Sequence, residues 1–146
     1  MTTRFAISIL FLAVGLAGCG TGAVPAARAK AAPAERQIAF QARPAGASGT
    51  LVIIRDAALR GGRCYYDVLI NGAAAARLDA GEKSTLFLPP GEVLLGAARE
   101  SEGNDYCRPG LGERTQREIS IRDGETQIYR VFIDFSGKMN LQKVAQ

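Results

Sequence analysis

The sequence contains no histidine and no tryptophan among its 146 residues. Histidine is the commonest general base near neutral pH and the commonest protein ligand of transition metals. Its absence excludes serine–histidine and cysteine–histidine catalysis, and it excludes metal centres ligated by histidine. Carboxylate, lysine or tyrosine chemistry would need evidence of its own, and the chain contains no motif for such a site or for a cofactor. We therefore expect a protein that is not an enzyme and has no cofactor.

A strong excess of one charge is also missing from most of the chain. The 18 Lys and Arg residues outnumber the 14 Asp and Glu residues, but residues 1–44 contain five basic residues and one acidic residue. Thirteen residues of each sign remain from Ala45 onward, so this part of the chain is neutral. Nucleic-acid binding needs basic residues clustered on a folded face. The even balance predicts that nucleic acid is not a partner.

The apolar run at residues 5–18 is too short to cross a membrane. It has fourteen residues, broken only by Ser8, and it follows a positively charged start at residues 1–4. A membrane-spanning helix needs about 20 apolar residues, whereas the apolar core of a signal peptide is shorter. Residues 1–18 are therefore predicted to be a signal peptide, with an uncleaved anchor as the alternative.

The string Leu16-Ala17-Gly18-Cys19 resembles the lipobox of bacterial lipoproteins, in which small residues precede the cleavage site and a cysteine follows it. The resemblance implies cleavage before Cys19, diacylglycerol on its sulfur, and acylation of the new amino terminus by a chain such as palmitate. Two or three acyl chains anchor a protein firmly, whereas one holds it marginally. Gly20 stands where aspartate is the usual signal for inner-membrane retention, so the family's sorting rule implies the outer membrane. A protein that faces the periplasm is favoured there over one exposed on the cell surface. The alternative is an ordinary signal peptide with a coincidental cysteine.

Setting Cys19 aside leaves one pair of cysteines, Cys64 and Cys107. In an oxidising compartment such a pair favours a disulfide over two separate buried thiols. The export signal therefore predicts a Cys64–Cys107 bridge.

Residues 19–48 are rich in alanine, proline and small polar residues, and they contain few large apolar side chains. Such a composition buries too little surface to offset its ordering entropy, and the prolines interrupt each stretch of alanines. We predict a lipidated amino terminus followed by a flexible, disordered linker that ends at Ser48. Ile38-Ala39-Phe40 alternates weakly, so an early edge strand is an alternative at that point.

Residues 49–146 change to short β-like runs separated by turn residues. Asn71-Gly72 between two such runs indicates a tight hairpin, because both positions of a type I′ turn need positive φ. The clearest alternating apolar stripe consists of Tyr129, Val131, Ile133 and Phe135. Seven to eight short strands with tight turns and no convincing helix predict an all-β domain, a small antiparallel β-sandwich.

Two segments of this domain, Tyr66-Asp67-Val68-Leu69-Ile70-Asn71-Gly72 and Leu86-Phe87-Leu88-Pro89-Pro90-Gly91, carry a further resemblance. They are similar to the pattern of a family of small all-β bacterial lipoprotein domains of unknown function, which share the Pro-Gly turn with short PEGA-type surface repeats. The resemblance covers residues 50–98 at motif level and departs from the family at Glu92-Val93, where a histidine or lysine often follows the turn. It implies an all-β fold in the cell envelope and brings no catalytic residues.

Candidate binding residues adjoin the two cysteines of the predicted bridge. They are Tyr65 and Tyr66 beside the first cysteine, and Tyr106 and Arg108 beside the second. A disulfide would bring these side chains together, either as an exposed recognition surface or as a small buried cluster beside the core. Buried rings are common for tyrosine in such places, which favours core packing.

Two charged groups are candidate ligand sites. Glu100, Glu102 and Asp105 share a polar loop, residues 100–112, and oxygen ligands close together can hold Ca²⁺. The segment lacks the spacing of an EF-hand, so a solvated acidic loop is expected and no metal site is predicted. Arg108, Arg114 and Arg117 could form a basic patch for lipid or peptidoglycan phosphates, although a solvated strand face is favoured.

Together these features predict a non-enzymatic lipoprotein anchored in the outer membrane. Its β-sandwich would be an interaction module in the cell envelope, binding an envelope protein or a cell-wall component. The alternative function is a periplasmic inhibitor of a hydrolase such as lysozyme, in which the loop at residues 100–112 plugs the cleft of the enzyme.

Overall fold

The structure of the chain is a computed structural model that describes residues 22–57, 64–100, 107 and 113–145. These residues form nine strands: β1 (Lys30–Ala31), β2 (Gly49–Arg55), β3 (Tyr66–Ile70), β4 (Ala73–Leu78), β5 (Glu82–Leu88), β6 (Gly91–Arg99), β7 (Arg114–Ile121), β8 (Thr126–Ile133) and β9 (Met139–Lys143). A short 3-10 helix, Ala34–Arg36, lies between the first two strands. Within this part of the chain, no helix is long and apolar enough to span a membrane.

The strands form two sheets, which confirms the predicted all-β sandwich. The larger sheet has the order β1-β5-β2-β8-β9, and the smaller has the order β4-β3-β6-β7. The smaller sheet is antiparallel throughout. The larger sheet is mixed, because β1 pairs with β5 and β2 pairs with β8 in parallel. The strand count exceeds the predicted seven to eight because β1 comes from the segment predicted to be a linker.

The core lies between the two sheets and consists of alternate residues of their strands, as the period of two in a strand requires. The larger sheet contributes Leu51, Ile53, Leu86, Leu88, Tyr129 and Val131 among others, all of which are buried. The smaller sheet contributes Tyr66, Val68, Ile70, Leu95, Ile119 and Ile121 among others. The inward positions are largely those that the apolar alternation predicted.

The β3–β4 hairpin confirms the prediction made from Asn71-Gly72. Asn71 has φ of 52° and Gly72 has φ of 86°, both in the left-handed region that a type I′ turn needs. Ala73–Leu78 is a strand despite its four alanines, because the turn brings it into register with β3.

Phe135 departs from the predicted apolar stripe, since it lies beyond the end of β8 and is 88% exposed. The strand ends because Asp134 organises a turn. Its carboxylate accepts hydrogen bonds from Ser136 Oγ at 2.6 Å, from Lys138 N at 3.0 Å and from Asn140 Nδ2 at 2.9 Å. The hydrogen bond from the Ser136 hydroxyl has the largest effect on the carboxylate, and together these hydrogen bonds lower the pKa of Asp134 to about 2. The turn therefore aims Phe135 at solvent.

Residues 22–48 lie against the sandwich, which departs from the prediction of a flexible linker. The backbone N–H groups of Ile38 and Ala39 both donate to Ala75 O, at 3.0 and 2.9 Å, on the open side of β4. Ala29 and Ala32 are buried. The small side chains of this segment let its backbone approach the strands closely. The strands then supply hydrogen bonds to that backbone, and amino-acid composition alone does not reveal such bonds. The early edge strand given as an alternative at residues 38–40 does not form, whereas Lys30–Ala31 forms the two-residue strand β1.

The start of this segment is fixed at one end of the larger sheet. Gly22 O accepts a hydrogen bond from Ala57 N at 3.0 Å, and Val24 N donates to Asp56 Oδ1 at 3.2 Å. Asp56 is buried and also pairs with the Arg130 guanidinium. The described part of the chain is therefore hydrogen-bonded to the sandwich from Gly22 onward, three residues after position 19.

Candidate functional site

The two cysteines of the predicted bridge form a disulfide, which confirms that prediction. Cys64 lies two residues before the start of β3, and its Cα lies 5.4 Å from that of Cys107. Both residues are buried. The bridge ties the start of β3 to the connection between β6 and β7, because Cys107 lies between those two strands in the chain.

Tyr65 and Tyr66 point to opposite sides of the sheet, so the structure divides the predicted group of tyrosines. Tyr66 is 2% exposed and belongs to the core, whereas Tyr65 is 37% exposed. The guanidinium carbon of Arg36 lies 4.7 Å from the centre of the Tyr65 ring, a cation–π contact. Tyr106 and Arg108 lie outside the described residues. Among the described members of the predicted group, Tyr65 is therefore the exposed one.

Sequence reasoning missed one residue near these tyrosines, the buried cation Arg55. It is 2% exposed, and its guanidinium carbon lies 3.8 Å from the centre of the Tyr66 ring. Arg55 Nη1 donates to two backbone carbonyl oxygens, Cys64 O at 2.5 Å and Leu78 O at 2.9 Å. Burial lowers the pKa of this guanidinium from its ordinary value. The signal was present in the alternation of β2, which places Arg55 on the same face as the core residues Leu51 and Ile53.

An ion pair with Glu82 holds the arginine that contacts Tyr65. Arg36 binds the Glu82 carboxylate with two hydrogen bonds of 2.6 and 2.7 Å, and Glu82 also accepts one from Asp79 N at 2.7 Å. Burial alone would raise the pKa of Glu82, but the hydrogen bonds from Arg36 and Asp79 lower it overall. Two-point binding of this kind fixes the orientation of an arginine. Arg36 is therefore held in place under the Tyr65 ring.

A second arginine, Arg77, extends this network across the smaller sheet. It binds Asp67 at 2.7 Å and also pairs with Glu100. Glu100 is buried, and its backbone N–H donates to Tyr65 O at 3.0 Å. Each of these carboxylates faces an arginine, so this end of the sandwich presents a charge-balanced surface with the aromatic ring of Tyr65 exposed. Such a surface can bind a partner by stacking and hydrogen bonding.

The acidic cluster considered for Ca²⁺ is divided in a different way. Glu100 pairs with Arg77, whereas Glu102 and Asp105 lie outside the described residues. Among the residues that are described, no three His, Cys, Asp or Glu side chains come together in a group that could hold a metal ion.

The basic residues considered as a phosphate patch do not share one face. Arg114 and Arg117 are both exposed on β7, three positions apart. Residues an odd number of positions apart in a strand point to opposite faces of its sheet. Arg108, the third member, lies outside the described residues.

The surface around Tyr65 has to be interpreted from its own geometry. No protein-family model matches the chain, and no curated protein matches it significantly.

Proposed function

We propose that this protein is a non-enzymatic lipoprotein of the outer membrane whose β-sandwich is an interaction module facing the periplasm. The observation that carries the proposal is the division of its three cysteines. Cys19 follows the apolar run and completes the lipobox, while Cys64 and Cys107 form the disulfide of the folded domain. Structural disulfides belong to oxidising compartments and are rare in the cytosol. The lipobox and the bridge thus support export independently of each other.

The packing of residues 22–48 changes the reach of the anchor. Gly22 is hydrogen-bonded to the sandwich and lies three residues after Cys19. Three residues of fully extended chain span at most about 11 Å. A lipid on Cys19 therefore holds the Asp56–Ala57 end of the sandwich close to the membrane surface. A long flexible tether would have let the domain stand further away.

Tyr65, Arg36 and Glu82 form what we call the Tyr65 surface. We assign this surface to partner recognition, with an envelope protein or a cell-wall component as the partner. Aromatic and arginine side chains are enriched at protein interfaces and among the residues that dominate binding energy. Arg36 is already positioned by the Glu82 carboxylate, and its guanidinium packs against the Tyr65 ring. A preformed arrangement loses little conformational entropy when a partner binds.

Lipidation is tested by replacing the anchoring cysteine. The unmodified chain, expressed in bacteria with an alkyne analogue of palmitate, is expected to carry the label and to fractionate with the outer membrane. Cys19→Ser is expected to lose essentially all of the label and to leave the outer-membrane fraction, because the acylated sulfur is gone. Gly20→Asp is the matched control, since it keeps the label and is expected to move to the inner membrane. A mature chain with an unmodified Cys19 would overturn the assignment.

Recognition is tested by a photo-reactive phenylalanine analogue at position 65 in living cells. We expect a discrete cross-linked species with one envelope component, and we expect Arg36→Ala to reduce its yield roughly tenfold, the size of a typical hot-spot effect. The same analogue at position 135, which is more exposed, is the matched control. Equal cross-linking patterns at the two positions would contradict a recognition role for Tyr65.

A further inference from the structure

The open side of β7 is the feature that the proposed function leaves unexplained. This strand has eight residues, lies at the edge of the smaller sheet, and pairs with β6 alone among the described strands. The opposite edge, β4, is covered by the bridge from Gln37 and by the backbone of residues 38–39. An open edge strand is a template for pairing with another strand. A further strand can therefore be added at β7.

Hydrogen bonds around β6 show which peptide groups of β7 face the open side. Arg99 N donates to Glu113 O, so residue 113 directs its peptide groups toward β6. Successive residues of a strand direct these groups to alternate sides. The peptide groups that face the open side are consequently those of Arg114, Gln116, Glu118 and Ser120. In agreement, Ser120 O accepts a hydrogen bond of 2.7 Å from a side chain outside the smaller sheet, Gln127 Nε2.

Gln127 limits where an added strand can pair. Gln127 is only 4% exposed and donates to Ser120 O. Ser120 O therefore does not readily accept a hydrogen bond from another chain instead. The usable part of the edge is therefore residues 114–118. Three residues in this stretch, Arg114, Gln116 and Glu118, present both an N–H and a C=O group.

Charge selects one arrangement for a second copy of the same strand. With a two-fold axis at Gln116, Arg114 lies opposite Glu118 of the second copy, and Glu118 lies opposite Arg114 of that copy. Residues opposite each other in an antiparallel pair have their side chains on the same face, so both pairs are of opposite charge.

The neighbouring registers are less favourable. An axis at Arg117 or at Glu118 places two like charges opposite each other and also requires Ser120 O. An axis at Thr115 reduces the usable pairing to residues 114 and 116. Like charges directly opposite each other destabilise a strand pair. The sequence of β7 therefore fits its own copy best in the register centred on Gln116.

We propose that this protein forms a two-fold dimer through antiparallel pairing of β7 with β7 of a second copy. The smaller sheets of the two molecules then join into one continuous sheet of eight strands. The pairs Arg114–Glu118, Gln116–Gln116 and Glu118–Arg114 each exchange two backbone hydrogen bonds across the interface. This inference does not depend on lipidation or on the partner of the Tyr65 surface.

Cross-linking at the two-fold axis tests the register. The full chain carrying Cys19→Ser and Gln116→Cys is solubilised in mild detergent with its native disulfide intact and is treated with a mild oxidant. Opposite residues of a hydrogen-bonded pair have Cα atoms about 5.5 Å apart, a separation that a disulfide bridges. We expect a covalent dimer. Gln142→Cys, on the exposed end of β9, is the matched control for chance collisions within a micelle, and we expect it to give roughly tenfold less dimer.

A charge exchange tests the partner. Glu118→Arg opposes like charges at both ends of the interface and is expected to weaken self-association roughly tenfold. Combining it with Arg114→Glu restores both pairs and is expected to restore the dimer. Thermal unfolding checks that both variants fold, which the exposure of these side chains leads us to expect. Equal dimer yields at positions 116 and 142, or no recovery in the double variant, would overturn the proposal.

Discussion

Removal of the disulfide by Cys64→Ala and Cys107→Ala is expected to lower the free energy of unfolding by about 4 kcal/mol. The bridge joins residues 43 positions apart, so in the unfolded chain it closes a long loop and removes much conformational freedom. Small domains have a total stability of roughly 5–15 kcal/mol. A chain that lacks the bridge is therefore expected to be only marginally folded.

Denaturant unfolding of the full chain in the Cys19→Ser background measures this effect. The parent with its bridge intact is expected to have a clearly higher midpoint than the Cys64→Ala/Cys107→Ala variant. Adding a reductant is the internal control, because it should lower the midpoint of the parent and leave the double variant unchanged. A midpoint that neither reduction nor substitution moves would show that the bridge adds nothing to stability.

The size of this effect connects the fold to the proposed location. A stabilisation of about 4 kcal/mol is available only where the two thiols are oxidised. A molecule retained in a reducing compartment would lose that contribution and expose its core more often. Under the proposed function, the domain would reach its full stability only after export, as the proposed lipidation of Cys19 requires.

The parts of the fold that were predicted correctly depend on local signals. The hairpin at Asn71-Gly72 could be predicted because positive φ at both turn positions is a property of those two residues and not of distant contacts. The burial of Tyr129 and Val131 followed from strict alternation in β8. The bridge was predicted from a count of cysteines combined with a predicted export signal.

The parts that could not be predicted depend on contacts between distant segments. Residues 22–48 resemble a linker in composition, but Ala75 O and Lys83 supply hydrogen bonds that bind them to the sandwich. Tyr65 lies next to a cysteine in the sequence, but this position gave no sign that Arg36 of residues 22–48 would pack against its ring. A segment predicted to be disordered thus contributes a residue of the candidate site.

Arg55→Ala is expected to lower the free energy of unfolding by about 3–5 kcal/mol, although it lies in no predicted site. The guanidinium donates to Cys64 O and Leu78 O, and its removal leaves both buried carbonyl groups without this donor. The substitution also leaves a cavity beside the Tyr66 ring, against which the guanidinium packs. Loss of hydrogen bonds to buried groups and creation of a cavity are two of the mechanisms that produce large destabilisation.

Two further substitutions separate the mechanisms and control for nonspecific effects. Arg55→Met keeps much of the side-chain volume and removes the donors, so the stability it recovers relative to Arg55→Ala measures the cavity contribution. Arg122→Ala removes an exposed arginine and is expected to change stability by less than about 0.5 kcal/mol. A cost below about 1 kcal/mol for Arg55→Ala would contradict a structural role for the buried cation.

Arg55 and the disulfide should not act independently, because Arg55 donates to the carbonyl oxygen of a bridged residue, Cys64. When the bridge is removed, residues 64–65 are free to move away from the guanidinium, and the hydrogen bond is worth less. Groups in direct contact commonly show interaction energies of about 0.5–3 kcal/mol in a double-mutant cycle. We therefore expect Arg55→Ala to cost clearly less in the Cys64→Ala/Cys107→Ala background than in the bridged parent. If the stability losses of Arg55→Ala and of disulfide removal were strictly additive, Arg55 would stabilise the sandwich independently of the bridge. The bridge would then not be needed to hold Cys64 O in place as an acceptor for Arg55.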